Sequence, residues 1–218
     1  MTQDAMENDP MAQTKWLRCG SFTAVLLLLG CVTAEQPPQG HATLPPDAVQ
    51  GASDPTRAAI IDAAYAFGTP TSLNGQPAAA ARALANYEYL ATELPYGARW
   101  RGFSGTVSTE LAAGLHELRP ALGIAPDASA QSVVQALYAA SRALNADDRA
   151  AAERALSVPA FTAGGPATLQ HLTALPPLPR VATATALAAQ ELDRQDRLGS
   201  PGGGGGGGDG GGGGGGYS

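Results

Sequence analysis

Five aromatic residues, Tyr87, Tyr89, Tyr96, Trp100 and Phe103, fall within a 17-residue stretch that also carries Arg99 and Arg101. Aromatic faces beside guanidinium groups bind sugar rings, aromatic ligands or partner proteins. The same side chains suit a structural task as well. Aromatics make up 6% of the chain, and an alanine-rich core needs a few large side chains, Trp100 above all, to fill one loop-covered corner. The residues alone leave both readings open: core packing, or a ligand or partner surface built from Tyr87, Tyr89, Tyr96, Arg99, Trp100, Arg101 and Phe103.

The other candidates for chemistry stop short of complete sets. His116-Glu117 begins the helical His-Glu-x-x-His pattern of zinc hydrolases, but the second histidine would stand where the chain has Pro120. His171 has no acidic or histidine partner at ligand spacing, and His41 lies alone in a proline-rich segment. Gly102-Phe103-Ser104-Gly105-Thr106 approaches a nucleophile elbow, yet Thr106 replaces the closing glycine and no α/β sheet surrounds it. Ser104 therefore reads as a turn residue or helix cap. Glu88, Glu93, Glu110 and Glu117 supply carboxylates for acid–base work, but helical carboxylates ordinarily face solvent, and no spacing sets two of them across a cleft. Neither a cofactor nor a metal site is expected. From Cys31 onward eleven Arg stand against sixteen Asp and Glu, with no lysine. That balance argues against nucleic acid as a partner and against electrostatic adhesion to anionic lipid.

The strongest pattern in the chain concerns address. Lys15 and Arg18 precede an uncharged run from Cys19 to Ala34, with Val25-Leu26-Leu27-Leu28-Leu29 at its centre. A basic flank, a short apolar stretch and small boundary residues make a secretory signal. The apolar heart is shorter than the roughly 20 residues a spanning helix prefers. Its end, Leu28-Leu29-Gly30-Cys31, resembles the lipobox of bacterial lipoproteins. That resemblance covers only residues 15–31. It implies a diacylglyceryl thioether on Cys31, cleavage after Gly30 and acylation of the new amino terminus. With Val32 rather than Asp after the cysteine, it also implies an outer-membrane address facing the periplasm. Asp4, Glu7 and Asp9 sit badly ahead of a basic flank, so Met11 is a candidate start. Cys19 would leave with the leader and Cys31 would carry lipid, so the mature chain would hold neither thiol nor disulfide.

Residues 31–53 carry the lipidated cysteine and a segment with Pro37-Pro38 and Pro45-Pro46. Almost no large apolar residue occurs from 35 to 53, which predicts an extended, mobile tether. The folded part is expected over 54–198. Asp54-Pro55 supplies an N-cap and a first-turn proline, and Ile60, Ile61, Ala64 and Phe67 recur at helical spacing up to Gly68. A second helix over 77–94 places Ala80, Ala83, Leu84, Tyr87, Leu90, Ala91 and Leu94 on one face, with Pro95 beyond it. A third runs over 106–119, with Pro120 and Gly123 as breakers. Pro126-Asp127 opens a fourth, Asp147-Asp148 a fifth over 149–156, and Gly164-Gly165-Pro166 a short one with Leu169, Leu172 and Leu175. The last spans 180–197. No strand-like alternation or fixed repeat occurs.

The fold expected is therefore all-α, a compact alanine-rich bundle of six or seven helices with a disordered N-terminal tether. Residues 199–218 hold two runs of seven glycines around Asp209, without the Lys-Ser/Thr of a phosphate loop or the triplet of collagen, and read as a disordered tail. The function expected is that of a non-enzymatic membrane-anchored periplasmic lipoprotein, held through lipid on Cys31, with a scaffolding or interaction role toward another envelope protein. A glycan- or small-molecule-binding module using residues 87–103 is the alternative, and an envelope hydrolase the second.

Overall fold

The computed structural model describes residues 41–48, 54–69 and 71–199. The expected leader, Cys31, the rest of the proline-rich segment and the glycine-rich stretch expected to be a tail lie outside the described residues. Within them the chain forms seven α-helices and no strand: α1 (Pro55–Gly68), α2 (Pro77–Glu93), α3 (Gly105–Leu122), α4 (Ala130–Asn145), α5 (Arg149–Ala155), α6 (Gly165–Thr173) and α7 (Pro179–Gly199). A 3₁₀ turn, Ala98–Trp100, lies between α2 and α3. The architecture is the all-α bundle that the alanine-rich periodicity predicts.

Short polar side chains start most of these helices. Asp54 accepts from the amides of Thr56 and Arg57, Ser104 from Thr106, Ser129 from Ser132 and Asp148 from Ala151. Three expected boundaries move, and in the simplest of them α6 ends at Thr173, short of the Leu175 expected within it. α4 begins after Ser129 rather than at Pro126-Asp127, because the Ala128 amide closes a turn back on the Ala125 carbonyl and the Ser129 hydroxyl then accepts from the Ser132 amide. α3 runs past Arg119 through Pro120 to Leu122. Pro120 lacks the amide for one helical bond, but the extra turn buries Leu122 and ends on Gly123, left-handed at φ 66°, whose N–H reaches the carbonyls of Arg119 and Pro120.

α2 is the axis of the body, packing against α1, α3, α4 and α6, while α7 closes the bundle against α1 and α3. Every residue from Ala83 to Leu90 is buried, so α2 has no single inner face of the kind its spacing predicts. Its alanines let the neighbours approach closely. Gly114 of α3 does the same for Tyr87: a Cβ there would lie 1.8 Å from the phenol oxygen, which donates to the Leu111 carbonyl at 3.0 Å.

Burying the whole circumference of α2 also buries its polar residues, and each is paired. Asn86 accepts from the Tyr138 hydroxyl. Glu88, expected on a solvated face, is 0% exposed instead. Arg119 meets it with two parallel bonds of 3.0 Å, Nε to Oε1 and Nη2 to Oε2. The remaining guanidinium nitrogen donates to the Pro126 and Ala128 carbonyls at 3.2 and 3.1 Å, tying α2 and α3 to the approach of α4.

The expected tether is shortened by the structure. Residues 41–48 lie on the body rather than extending from it. Ala42 and Ala48 are buried. The Thr43 amide donates to Gln131 Oε1 at 2.7 Å and the Gln131 side chain donates back to the Thr43 carbonyl. Arg82 donates to the Ala48 carbonyl and Arg142 pairs with Asp47 at 3.1 Å. Two small side chains need little space to be buried, and Pro45-Pro46 restricts the unfolded chain, so ordering this segment costs less than its composition suggests.

Candidate functional site

The aromatic stretch divides at the end of α2. Tyr87 and Tyr89 face the core. Tyr87 meets Phe67 edge to face, ring centroids 6.2 Å apart, and the Tyr89 hydroxyl lies 2.7 Å from that of Thr56. Burial raises the pKa of both phenols, chiefly by desolvation. These two rings are structural members of the bundle.

Beyond α2 the chain turns sharply. The Gly97 amide bonds the Glu93 carbonyl at 2.7 Å, and a Cβ on Gly97 would strike both the Glu93 carboxylate and the Trp100 ring. The 3₁₀ turn then delivers Trp100 into the corner, where it is 3% exposed. Its Nε1 donates to Glu93 Oε1 at 3.2 Å, and Phe103 packs on it edge to face at 5.2 Å. The Arg99 guanidinium stands 5.0 Å from the Trp100 ring centre and pairs with Asp54, the cap of α1. α7 completes the corner from the other side. Glu191 accepts from the Ser104 amide at 3.1 Å, and Arg194 donates to the Gly102 carbonyl at 2.8 Å. The adjacent Arg194 holds the Glu191 carboxyl below the usual carboxylate range.

Trp100, Phe103 and Arg99 are thus brought together, while Tyr96, Arg99 and Arg101 form the outward face of the corner. Tyr96 is 51% exposed and the Arg99 side chain 61%. Arg101 is exposed, with no hydrogen bond or ion pair to the described residues. Sequence reasoning missed Glu93, Asp54, Glu191 and Arg194 as members of this corner. Asp54 carried a local signal only as a cap and Glu93, within the aromatic stretch itself, only as a helical carboxylate; Glu191 and Arg194 arrive from α7, distant in sequence. His41 joins them too, its Nε2 3.8 Å from Glu93 Oε2.

The four carboxylates considered for acid–base chemistry all carry structural bonds. Glu88 holds Arg119 and Glu93 holds Trp100. Glu117 Oε2 accepts from the amides of Arg180 and Val181 at 2.9 and 3.1 Å, capping α7 from α3, while Glu110 pairs with Arg180 at 3.2 Å. Ser104 caps α3 and His116 is exposed on its surface. His171 is half-buried, its Nδ1 without a hydrogen-bond partner among the described residues. Among the described residues no three His, Cys, Asp or Glu side chains gather closely enough to hold a metal ion.

The surface also carries a groove of about 440 Å³ between the end of α1 and the Pro176-Pro177-Leu178-Pro179 approach to α7, floored by Phe67 and Leu73. No helix among the described residues is long and apolar enough to cross a membrane. Compared with protein-family models, with curated proteins and with solved structures, the chain matches none.

Proposed function

We propose that this chain is an exported lipoprotein, anchored through lipid on Cys31, whose helical body serves a non-enzymatic scaffolding or interaction role at the bacterial envelope. The observation that carries the reading is the order of Lys15 and Arg18, the apolar run and Leu28-Leu29-Gly30-Cys31. Two or more acyl chains, at about 0.8 kcal/mol per buried CH₂, make a stable anchor without a spanning helix. The non-enzymatic part is supported by the carboxylates, each engaged in holding helices or the aromatic corner together. An outer-membrane, periplasm-facing location follows from Val32 by the same resemblance.

The test is the intact mass and amino-terminal sequence of the protein recovered from membranes. The proposal expects a chain beginning at acylated Cys31, and a Cys31→Ser variant that accumulates with its leader attached. A native chain that keeps its leader, or an unmodified Cys31, would sink it. Crosslinking in intact cells, followed by identification of what is joined to the body, tests the interaction role. Turnover of an envelope substrate by the purified protein would overturn the non-enzymatic part.

A further inference from the structure

We infer that the outward face of the aromatic corner, Tyr96 with Arg99 and Arg101, is the membrane-facing end of the body and that its guanidinium groups engage the phosphates of anionic phospholipid. The inference rests on the lipid anchor proposed above and adds to it an orientation and a lipid contact. Its first support is the position of His41. His41 lies beside Glu93, the residue that also holds Trp100, so His41, ten positions after Cys31 in sequence, sits at this corner.

Length is the second support. Nine residues separate Cys31 from His41. Fully extended, that stretch spans roughly 35 Å. A body of this size is roughly 40 Å across. To present its opposite end to the bilayer, the protein would have to hold His41 about that far from the surface, which stretches the chain to its limit and removes its conformational freedom. The docking of residues 41–48 is what makes the span so short.

Chemistry is the third. α7 passes the same corner, where Arg194 reaches the Gly102 carbonyl, and one turn later it exposes Leu198 at 74%. An exposed phenol, an exposed leucine and two guanidinium groups match the interfacial zone of a bilayer, where amphipathic rings and arginines meet headgroups. Arg99 is partly neutralised by Asp54, whereas Arg101 has no partner among the described residues. The acidic balance of the whole chain opposes recruitment of a free protein to anionic lipid. It does not oppose orientation of an anchored one, because the anchor has already supplied proximity. Each cation near an anionic surface is worth about a fivefold preference, enough to bias which end faces down.

The test uses the chain from Cys31 onward, which contains every described residue, and two features of its composition. Cys31 is its one thiol and Trp100 its one tryptophan. Coupling Cys31 to a maleimide-bearing phospholipid in vesicles fixes the anchor chemically, and energy transfer from Trp100 to a dansyl lipid reports the height of the corner. Transfer should be greater on phosphatidylglycerol vesicles than on neutral phosphatidylcholine vesicles. It should return to the neutral level in Arg101→Glu, and in salt of about 1 M, where the screening length is near 3 Å. Arg101 makes no bond within the described body, so this variant keeps its fold, which circular dichroism checks. Equal transfer on the two vesicle types, or an Arg101→Glu chain that behaves as the parent, would overturn the inference. A protein partner at this face would show itself by that same equality. Because the linkage is chemical, failure of Cys31 acylation in cells would remove the anchor reading without producing either result.

Discussion

Replacing Arg119 by Met probes the most heavily bonded polar contact in the bundle. The substitution keeps an unbranched apolar stem but deletes both 3.0 Å bonds to Glu88 and the bonds to the Pro126 and Ala128 carbonyls. Those carbonyls lie near the surface and regain water. Glu88, fully buried on α2, does not. Stranding a buried charge in this way costs about 3–5 kcal/mol, a large share of the 5–15 kcal/mol typical of a domain. The loss carries a pH signature. Burial raises the Glu88 pKa, and the hydrogen bonds and charge of Arg119 offset that rise only in part. A carboxyl whose folded pKa is raised contributes its stability fully below its ordinary value, and loses it as pH rises through the raised one. Without Arg119 the rise is greater, so the destabilisation should be largest at neutral pH and shrink toward acid, as Glu88 takes up a proton. Urea unfolding followed by far-ultraviolet circular dichroism, at neutral and mildly acidic pH, measures both effects. The double variant Glu88→Leu with Arg119→Met should recover most of the loss, since an apolar pair replaces a buried ionic one. A loss below about 1 kcal/mol at neutral pH, the scale of a surface ion pair, would refute the reasoning. So would a loss that grows on acidification.

Three further outcomes are expected. Gly114→Ala forces a methyl group onto the Tyr87 hydroxyl and should lower stability by about 1–3 kcal/mol, with Tyr87→Phe in the same chain restoring part of it; an unchanged unfolding midpoint would contradict that contact. Trp100→Ala should cost about 3–5 kcal/mol, whereas Arg101→Ala should stay within about 0.5 kcal/mol, so equal unfolding midpoints would remove Trp100 from the core. Desolvation pushes the Tyr138 phenol up to about 12, so its contribution to stability is present below the ordinary value near 10 and disappears as pH rises through about 12. Phenolate absorbance and circular dichroism should therefore change together during alkaline titration. Ionisation of every tyrosine while the helices persist would argue against that burial.

The helices were legible because each is announced locally. A capping Asp or Ser, a first-turn proline and apolar residues at helical spacing act within one or two turns, and they locate α1, α2, α5 and α7 to within a residue or two. Where local signals conflicted, burial decided. Pro120 reads as a breaker, yet Leu122 and the Gly123 cap carry α3 one turn further. Pro126-Asp127 reads as a start, yet Ser129 holds the amide that opens α4.

The sequence by itself also determined the order of two cations and an uncharged apolar run ahead of Cys31, the absence of cysteine beyond it and the all-α class, since these depend on residue type and short-range spacing. Only the tertiary structure decided which members of the aromatic stretch meet solvent. Tyr87 and Tyr89 lie on α2, and α2 is surrounded, so their rings and the Glu88 carboxylate are buried whatever their spacing suggests. Tyr96, Arg99 and Arg101 lie beyond its end, where the chain turns around Gly97 and the neighbouring helices stop covering it. The packing of residues 41–48 was equally invisible in composition, because it depends on Gln131, Arg82 and Arg142 presented by other helices. Local chemistry sets what a segment prefers to be. Burial depends on what the rest of the chain brings beside it, and that information is spread over residues 31 to 95 positions apart.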